Sequence, residues 1–329
     1  MSVFVTGGTG FLGRAVLTEL VAAGHAVRAL VRKARLLPTG VEGFEGRLDD
    51  VEGLSKALSG AEAVVHLAGL VSRDPADAAR MFHVHLELTR VLLDAAERAG
   101  VRRFVLASTS GTIAVREAKE SRAATETDRA PVELIGRWPY YLSKRYQEEE
   151  VLRRNGASRI DAIVLNPSLL LGPGDERLSS TTDVHKALHG RFPALTKGTM
   201  AIVDVRDVAP IFVAALTKGR RGERYLLNGA NLSVRSFVDR VESAGDVTHV
   251  RPVLSDRWAR GSTKLLEGLC KTFELTPPVD AISVDMACCD WSCSSKRAVQ
   301  ELGFKARDLQ VTIKDTVLDL ERRGMYRRT

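Results

Sequence analysis

Cysteine is scarce in this chain, and the few cysteines present do not have the spacing of a metal site. The four cysteines, all late in the chain, are Cys270, Cys288, Cys289 and Cys293. Three of them form a CC-x-x-x-C cluster, whereas structural zinc sites use paired CxxC spacing. His185 and His189 are four residues apart but have no evident third ligand. We predict free thiols in a reducing compartment and no resident metal ion.

Aromatic residues are also few, which argues against nucleic-acid binding. They make up 5% of the 329 residues, and no basic helix or aromatic stacking platform is evident. The formal net charge is +7, but the basic residues bunch in three short clusters, residues 32–35, 220–224 and 322–328. This pattern predicts a basic surface and no nucleic-acid partner.

No segment has the length and apolarity of a membrane span. No uncharged apolar run reaches the roughly 18 residues needed to cross a bilayer. A strand-like run at residues 3–5 follows the initiator directly and leaves no place for the apolar core of a signal peptide. We therefore expect a cytoplasmic location and no membrane partner.

The first half of the chain alternates short apolar runs with helical patterns. The predicted strands are residues 3–5, 26–31, 64–67, 104–107 and 160–165, and the predicted helices are 12–23, 76–99 and 140–155. Strands that are apolar throughout fit a parallel sheet covered on both faces, and the alternation fits βαβ units. The sequence therefore predicts an α/β fold, a Rossmann-type doubly wound parallel sheet with a smaller C-terminal substrate lobe.

A glycine-rich stretch joins the first predicted strand to the first predicted helix. It reads TGGTGFLG over residues 6–13, and it can be parsed as GxGxxG from Gly8 or as GxxGxxG from Gly7. Glycine lets the backbone approach a pyrophosphate closely, and the amides and dipole of a helix N-terminus bind the anion. This strand-to-helix context indicates a dinucleotide-binding loop.

The end of the second predicted strand indicates which dinucleotide is bound. In NAD-specific units an acid at this place binds the adenosine 2′-hydroxyl. Here the strand ends in Arg32 and Lys33. A guanidinium pairs bidentately with a 2′-phosphate but gains little from a neutral hydroxyl. We predict NADP(H) as the cofactor.

The strand–helix pattern breaks at Asn166-Pro167. Beyond it, the stretches 168–199 and 231–285 are loop-rich, with helical islands such as residues 233–244 and 262–273. We predict an NADP-binding domain over 1–167, with return segments about 201–229. Residues 168–200 and 230–329 would form mainly the substrate-binding lobe and C-terminal helices. Two strands in the return segments, residues 202–205 and 224–227, are expected to rejoin the main sheet.

The stretch WPYYLSKR, residues 138–145, offers two tyrosine–cation pairs. Tyr140 with Lys144 and Tyr141 with Arg145 are each four residues apart, so spacing alone does not choose between them. An adjacent ammonium lowers the pKa of a phenol, and a lysine suits a nicotinamide ribose better than the larger guanidinium. This favours Tyr140 as general acid/base with Lys144 as its partner.

The TGxxGxxG loop followed downstream by Tyr140-x-x-x-Lys144 resembles the extended short-chain dehydrogenases/reductases, within the NAD-dependent epimerase/dehydratase superfamily. The segment ASTSGT, residues 107–112, resembles the TSSAGT segment of dihydroflavonol reductases. The resemblance implies Tyr140 as acid/base, Lys144 as ribose ligand and Thr109 as the third catalytic residue. Ser108 and Ser110 are the alternatives to Thr109.

Further segments extend the resemblance over most of the chain. HLAG at 66–69 resembles an element that lines the cofactor, and residues 166–174 resemble a segment near the nicotinamide. The predicted cofactor-binding residues are Gly7, Gly10, Phe11, Leu12, Gly13, Arg32, Leu48, Asp49, Leu67, Ala68, Gly69, Tyr140, Lys144 and Pro167. Two positions depart from the family pattern. Arg47 replaces an acid near adenine, and His85 stands where an asparagine is common.

The same scaffold serves reductases and epimerases, so individual residues must indicate the reaction. Nucleotide-sugar enzymes of this family usually carry an arginine where this chain has Met200, and a thioether cannot neutralise a diphosphate. With Arg32, this favours an NADPH-dependent reductase of a ketone or aldehyde, a small-molecule carbonyl substrate. A nucleotide-sugar epimerase or dehydratase is the alternative, and a non-catalytic NADP-sensing protein is a third. The family allows a monomer or a homodimer.

Overall fold

The computed structural model describes residues 1–33, 37–117, 120, 122–156, 160–272 and 279–327. Arg35 and Arg328, in two of the basic clusters, and Phe273, at the end of a predicted helix, lie outside the described residues. The strands are β1 Ser2–Thr6, β2 Ala26–Val31, β3 Val41–Glu45, β4 Ala63–His66, β5 Arg103–Ala107, β6 Asp161–Pro167, β7 Leu169–Leu171, β8 Thr199–Asp204, β9 Arg224–Leu227 and β10 Ala230–Ser233. The helices are α1 Phe11–Ala22, α2 Val51–Ala57, α3 Ala78–Phe82, α4 Leu88–Arg98, α5 Val132–Ile135, α6 Pro139–Arg154, α7 Thr182–Leu188, α8 Val205–Ala214, α9 Val234–Gly245, α10 Asp256–Thr272, α11 Ala281–Ala287, α12 Lys296–Leu302 and α13 Leu309–Arg322.

Seven strands form one parallel sheet in the order β3-β2-β1-β4-β5-β6-β9. Every neighbouring pair in it is parallel. This order confirms the predicted doubly wound fold. Because the chain moves to the other side of β1 between β3 and β4, a crevice opens at the carboxyl ends of β1 and β4, where such folds bind ligands.

Helices cover both faces of this sheet, as the apolar strands predict. On one face α1 and α8 contribute Leu17 and Phe212. On the other face α2, α4 and α6 contribute Leu54, Leu92 and Val151. All five side chains are fully buried, and each contributes about 2 kcal/mol of hydrophobic free energy. The two cores fix the sheet whose edge carries the candidate site.

The other strands form a separate three-stranded sheet, β10-β8-β7. It shares a core with α7, α9 and α13. One prediction is therefore wrong: residues 202–205 do not rejoin the main sheet, because β8 pairs with β10 and β7 instead. The other predicted return strand does rejoin it, as β9 beside β6. An apolar run identifies a buried strand but not the sheet to which the strand belongs.

The long helix predicted over residues 76–99 is interrupted. A 3-10 turn, Pro75–Asp77, precedes α3, and a π-helical turn, His83–Glu87, joins α3 to α4. A π-helical turn holds one residue more than an α turn and often occurs at functional sites. Here the turn contains the buried side chain of His85.

The turn between β1 and α1 requires glycine. Gly7 has a φ of +73°, and a Cβ there would lie 2.5 Å from both the Ala68 nitrogen and the Leu67 carbonyl carbon. A Cβ on Gly13 would overlap the carbonyl oxygen of Gly7, whereas a Cβ on Gly8 would first meet a flexible side chain. The structure therefore favours the GxxGxxG parse from Gly7.

We expect Gly7→Ala to lower the free energy of unfolding by about 3 kcal/mol or more, because a backbone clash adds to the strain of the positive φ. Gly60→Ala is the matched control. Gly60 also has a φ of +73°, but a Cβ there would meet open space, so the loss should be about 1 kcal/mol. Urea denaturation measures both, and equal losses would contradict the close approach at Gly7.

Candidate active site

A cavity of about 1360 Å³ is lined by residues that follow β1, β4, β5 and β6 and by residues of the smaller lobe. The sequence-predicted residues that line it are Gly7, Gly10, Phe11, Leu12, Gly13, Leu67, Gly69, Thr109, Tyr140 and Pro167. The predicted residues outside its lining are Arg32, Leu48, Asp49, Ala68 and Lys144. The volume exceeds the roughly 300–1,000 Å³ of a typical small-molecule site, so the cavity has room for more than one ligand.

The N-terminus of α1 forms one end of this cavity. Gly10 precedes the helix and provides no side-chain cap. The N–H groups of Phe11, Leu12 and Gly13 are in the first turn, where a helix offers them no acceptor. All three residues line the cavity. Free amides and the helix dipole together fit a pyrophosphate at this place.

Two arginines mark the carboxyl ends of β2 and β3. Arg32 is exposed and forms no ion pair with any residue that the structure describes. Arg47 donates two hydrogen bonds to Asp49, of 2.8 and 2.6 Å, and this lowers the pKa of Asp49 to about 2. Leu48 packs against the core beneath α2 and α4. The sequence analysis missed Arg47 as a second cation here, although its departure from the family pattern was a signal.

Helix α6 carries the predicted proton donor and its partner. It begins at Pro139, whose fixed φ and missing N–H suit the first helical position. Tyr140 follows at the cavity, and Lys144, one turn later, is only 5% exposed. The Lys144 ammonium donates to the carbonyl oxygen of Ala107 (2.7 Å) and to Oε1 of Gln147 (2.5 Å). Burial lowers the pKa of Lys144 to about 8.

A buried polar chain continues from Lys144 towards the glycine turn. Gln147 donates from Nε2 to the Thr89 hydroxyl (2.8 Å), which lies 2.9 Å from Nε2 of His66. Nδ1 of His66 lies 2.6 Å from the hydroxyl of Thr6, the last residue of β1. Burial, together with the charge of Lys144, lowers the pKa of His66 to about 3, so the imidazole is neutral. Sequence reasoning did not identify Gln147 or Thr89.

His85 connects the cavity wall to α6. The N–H of Leu70 donates to Nε2 (3.1 Å), so Nδ1 carries the proton and donates to the Ser143 hydroxyl (2.8 Å). That hydroxyl donates to the Tyr140 carbonyl oxygen (2.9 Å), and the rings of His85 and Tyr140 meet edge to face. Burial and the charge of Lys144 lower the pKa of His85 to about 2. His85 is therefore a neutral positioning residue.

The pKa of Tyr140 differs from the sequence-based expectation. Burial raises it above its ordinary value, and neighbouring Tyr141 raises it further. The expected lowering by Lys144 is not found, because that ammonium donates to Ala107 and Gln147 instead. Tyr140 is protonated at neutral pH, as an ordinary phenol is, and the raised pKa makes loss of this proton harder.

Tyr141 and Arg145 do not form a second pair at the cavity. Arg145 pairs with Glu149 (2.7 Å) and is not part of the cavity lining. The Tyr141 ring lies 5.2 Å from the Trp291 ring, and it occupies the space that a Cβ on Gly111 would need. Tyr141 is therefore a packed wall residue.

Three hydroxyl residues after β5, Ser108, Thr109 and Ser110, line the cavity. The Thr109 hydroxyl accepts from the Gly111 N–H at 3.4 Å and caps the following turn. The Ser108 hydroxyl is buried and has no hydrogen-bond partner among the described residues. The geometry thus keeps Ser108 beside Thr109 as a candidate for contact with a substrate.

Asp285 of α11 links the smaller lobe to the start of α6. It accepts from the indole N–H of Trp138 (3.1 Å), the residue before α6. It also pairs with Arg260 of α10 (2.9 Å). These contacts fix the cavity wall opposite the sheet.

Within the described ranges, no three His, Cys, Asp or Glu side chains are grouped closely enough to bind one ion. His189 donates from Nδ1 to the carbonyl oxygen of His185 (2.8 Å).

Across the described ranges no helix is long and apolar enough to cross a bilayer. All four cysteines are free and buried.

Comparison with known proteins identifies the family. Residues 3–227 match the model of the NAD dependent epimerase/dehydratase family. The chain belongs to this family. It is 30% identical to sterol demethylase protein B of Methylococcus capsulatus, over 99% of this chain and 100% of the relative. It is 29% identical to a putative dihydroflavonol 4-reductase of Synechocystis, over 95% and 93%. The crystal structure of gox2253 is 29% identical over 99% of both chains, with a TM-score of 0.86.

Membership in the NAD-dependent epimerase/dehydratase family confirms the predicted resemblance to the extended short-chain dehydrogenases/reductases. The protein is an NAD(P)-dependent oxidoreductase that uses a nicotinamide dinucleotide. At this level its activity is that of a reductase or of an epimerase/dehydratase acting on a small molecule.

The buried ammonium of Lys144 makes stability depend on pH. Its pKa is about 8 in the folded protein and 10.5 ordinarily, so below about pH 8 both states are charged and the folded state bears the full cost of burial. Between about pH 8 and 10.5 the folded state loses the proton first, and stability rises by about 3 kcal/mol.

Lys144→Met should remove this rise. The free energy of unfolding of wild type minus that of Lys144→Met should therefore increase with pH over this window, as measured by urea denaturation. Lys33→Met, which removes an exposed ammonium, is the control. A pH-independent difference for Lys144→Met would show that the ammonium is not buried at a cost.

Proposed function

We propose that this protein is an NADPH-dependent reductase of a ketone or aldehyde, with Tyr140 as general acid. The observation that carries the proposal is that one cavity is lined by Tyr140, by the hydroxyl residues after β5 and by the glycine turn. Lys144 is fixed one helical turn from Tyr140. The similarity to a putative dihydroflavonol 4-reductase supports net reduction.

The residues present fit a nicotinamide dinucleotide. Gly7 and Gly13 keep clear the space that Cβ atoms would fill, beside the N-terminus of α1. The proposed ligands are Gly7, Gly10, Phe11, Leu12 and Gly13 for the pyrophosphate, Arg32, Leu48 and Asp49 at the adenosine, and Leu67, Ala68, Gly69, Tyr140, Lys144 and Pro167 towards the nicotinamide. We assign NADP binding to residues 1–167 with about 205–229, and substrate binding mainly to 168–204 and 230–329, because β8 belongs to the smaller sheet.

In this proposal the bound cofactor supplies the hydride for the carbonyl carbon. Tyr140 donates its phenolic proton, which it holds at neutral pH, to the carbonyl oxygen. Lys144 is proposed to bind the nicotinamide ribose; in the structure its ammonium donates to Ala107 and Gln147 and does not lower the pKa of Tyr140. The hydroxyl of Thr109, or of Ser108 beside it, donates to the same carbonyl oxygen and orients it.

A nucleotide-sugar epimerase or dehydratase is the second candidate, and one observation favours it. Arg177, Lys186 and Arg191 line the cavity and form no ion pair with any described residue, so they are available to phosphate groups. Met200 also lines the cavity. It stands where nucleotide-sugar enzymes of the family usually carry an arginine, which favours the reductase.

Cofactor preference tests the assignment of Arg32. We expect the cofactor-stripped protein to bind NADPH more than about tenfold tighter than NADH, a difference of about 1.4 kcal/mol. Arg32→Gln should remove most of this preference and leave the dissociation constant for NADH unchanged. Fluorescence titration measures both constants, and Arg98→Gln, an exposed arginine on α4, is the control. A preference for NADH, or NAD that cannot be stripped, would favour the epimerase.

The two adjacent tyrosines allow a matched test of the chemistry. With a panel of ketones and aldehydes, Tyr140→Phe should lower kcat by about 10²–10⁴-fold, because the proton donor is lost. The dissociation constant for NADPH should stay within about threefold. Tyr141→Phe removes a hydroxyl from a packed wall residue and should keep most of the turnover. Equal turnover by wild type and Tyr140→Phe would refute the role of Tyr140. NADPH binding without turnover of any substrate would favour a sensing protein.

A further inference from the structure

Helix α10 separates the cavity from solvent, and both of its faces carry apolar side chains. The inner face lines the cavity with Ala259, Thr263 and Leu266. The outer face exposes large apolar side chains: Trp258 is 74% exposed, Leu265 67% and Leu269 50%. An ordinary surface helix would carry polar residues at these positions.

The three exposed side chains form a continuous stripe. Residues 258, 265 and 269 are seven and four positions apart, so at 100° per residue they fall within an arc of about 40°. They extend over about 16 Å of helix length. A stripe of this kind has the geometry of a binding face rather than of scattered exposed residues.

The charged side chains of α10 are also divided between the two faces, with exposed cations on the outer side and carboxylates on the inner side. Arg257 and Lys264 are exposed on one flank of the stripe, about 100–120° around the helix from Trp258, and neither pairs with a carboxylate of the described residues. The carboxylate of Glu267 lies on the inner side, where it accepts from the Ala281 N–H (2.6 Å). Asp256 also faces inward, towards Cys288. The outer face is therefore apolar and cationic, without a carboxylate.

We propose that α10 docks on the surface of an anionic phospholipid bilayer. Tryptophan and leucine on one face with flanking cations are typical of helices that lie in the interfacial plane, and anionic headgroups are complementary to Arg257 and Lys264. A second copy of the chain fits less well, because an antiparallel two-fold contact of the stripes would bring the cations of both copies to the same side of the interface. This proposal departs from the expectation of no membrane partner, which was based on the lack of a spanning segment, because α10 would lie on the surface of the bilayer.

This docking gives the cavity a place relative to the bilayer. The wall formed by Ala259, Thr263 and Leu266 would lie directly behind the membrane-bound face. An apolar carbonyl compound dissolved in the bilayer would thus be close to the cavity. The docking itself does not depend on the proposed function, since it needs no turnover.

Vesicle binding tests the proposal directly. Wild type should sediment with vesicles in which about a third of the phosphatidylcholine is replaced by phosphatidylglycerol, and about tenfold less with phosphatidylcholine alone. Trp258 is far more exposed than Trp138 and Trp291, so a blue shift of tryptophan emission on binding reports the stripe without any mutation. No binding and no shift at low salt would overturn the proposal.

Variants separate the stripe from other surfaces. Leu265→Ser with Leu269→Ser should abolish vesicle binding, and Arg257→Gln with Lys264→Gln should remove the preference for anionic vesicles. Val299→Ser with Val311→Ser, at similarly exposed sites on α12 and α13, is the matched control and should bind as wild type does. Equal loss in the control, or a stripe that instead drives self-association without vesicle binding, would contradict bilayer docking.

Discussion

One buried ammonium organises the part of the large lobe that faces the cavity. Removing a cation from water costs several kcal/mol unless fixed dipoles replace the lost hydration. Lys144 obtains part of that compensation from the Ala107 carbonyl at the end of β5 and from Gln147, and the remaining cost appears as its lowered pKa. Hydrogen bonds continue from Gln147 through Thr89 and His66 to Thr6 at the end of β1. The chain that joins α6 to the start of the glycine turn therefore begins at this charge. The same burial keeps both nearby histidines neutral.

The sheet and its cofactor loop were readable from the sequence because they depend on local patterns. Fully apolar strands, helical periodicity and glycines at a strand-to-helix turn require no knowledge of distant residues. Gly7 shows the limit of such local patterns. The sequence identifies a glycine motif here, but the contact of Gly7 with the segment after β4 is what favours GxxGxxG over GxGxxG. Residues 202–205 show the same limit, since their strand was predicted correctly and their sheet was not.

The partners around Tyr140 could not be predicted, because they come from separate parts of the chain. His85 reaches α6 from the π-helical turn, and Asp285 reaches Trp138 from the smaller lobe. Neither has a sequence motif that names its partner. Neighbouring hydroxyls after β5 are also hard to distinguish from the sequence: family resemblance chose Thr109, whereas the Ser108 hydroxyl is buried and has no partner among the described residues. Only the fold brings both beside the cavity.

The π-helical turn at His83–Glu87 has a consequence for how this site tolerates change. The wider turn accommodates one residue more than an α turn, so α3 and α4 keep their faces towards their neighbours on either side of it. The extra residue is thus free to serve the site, where the His85 ring contacts Ser143. A single-codon deletion there would let the turn close to an ordinary α turn, which would keep the core face of α4 and remove the contact between His85 and Ser143.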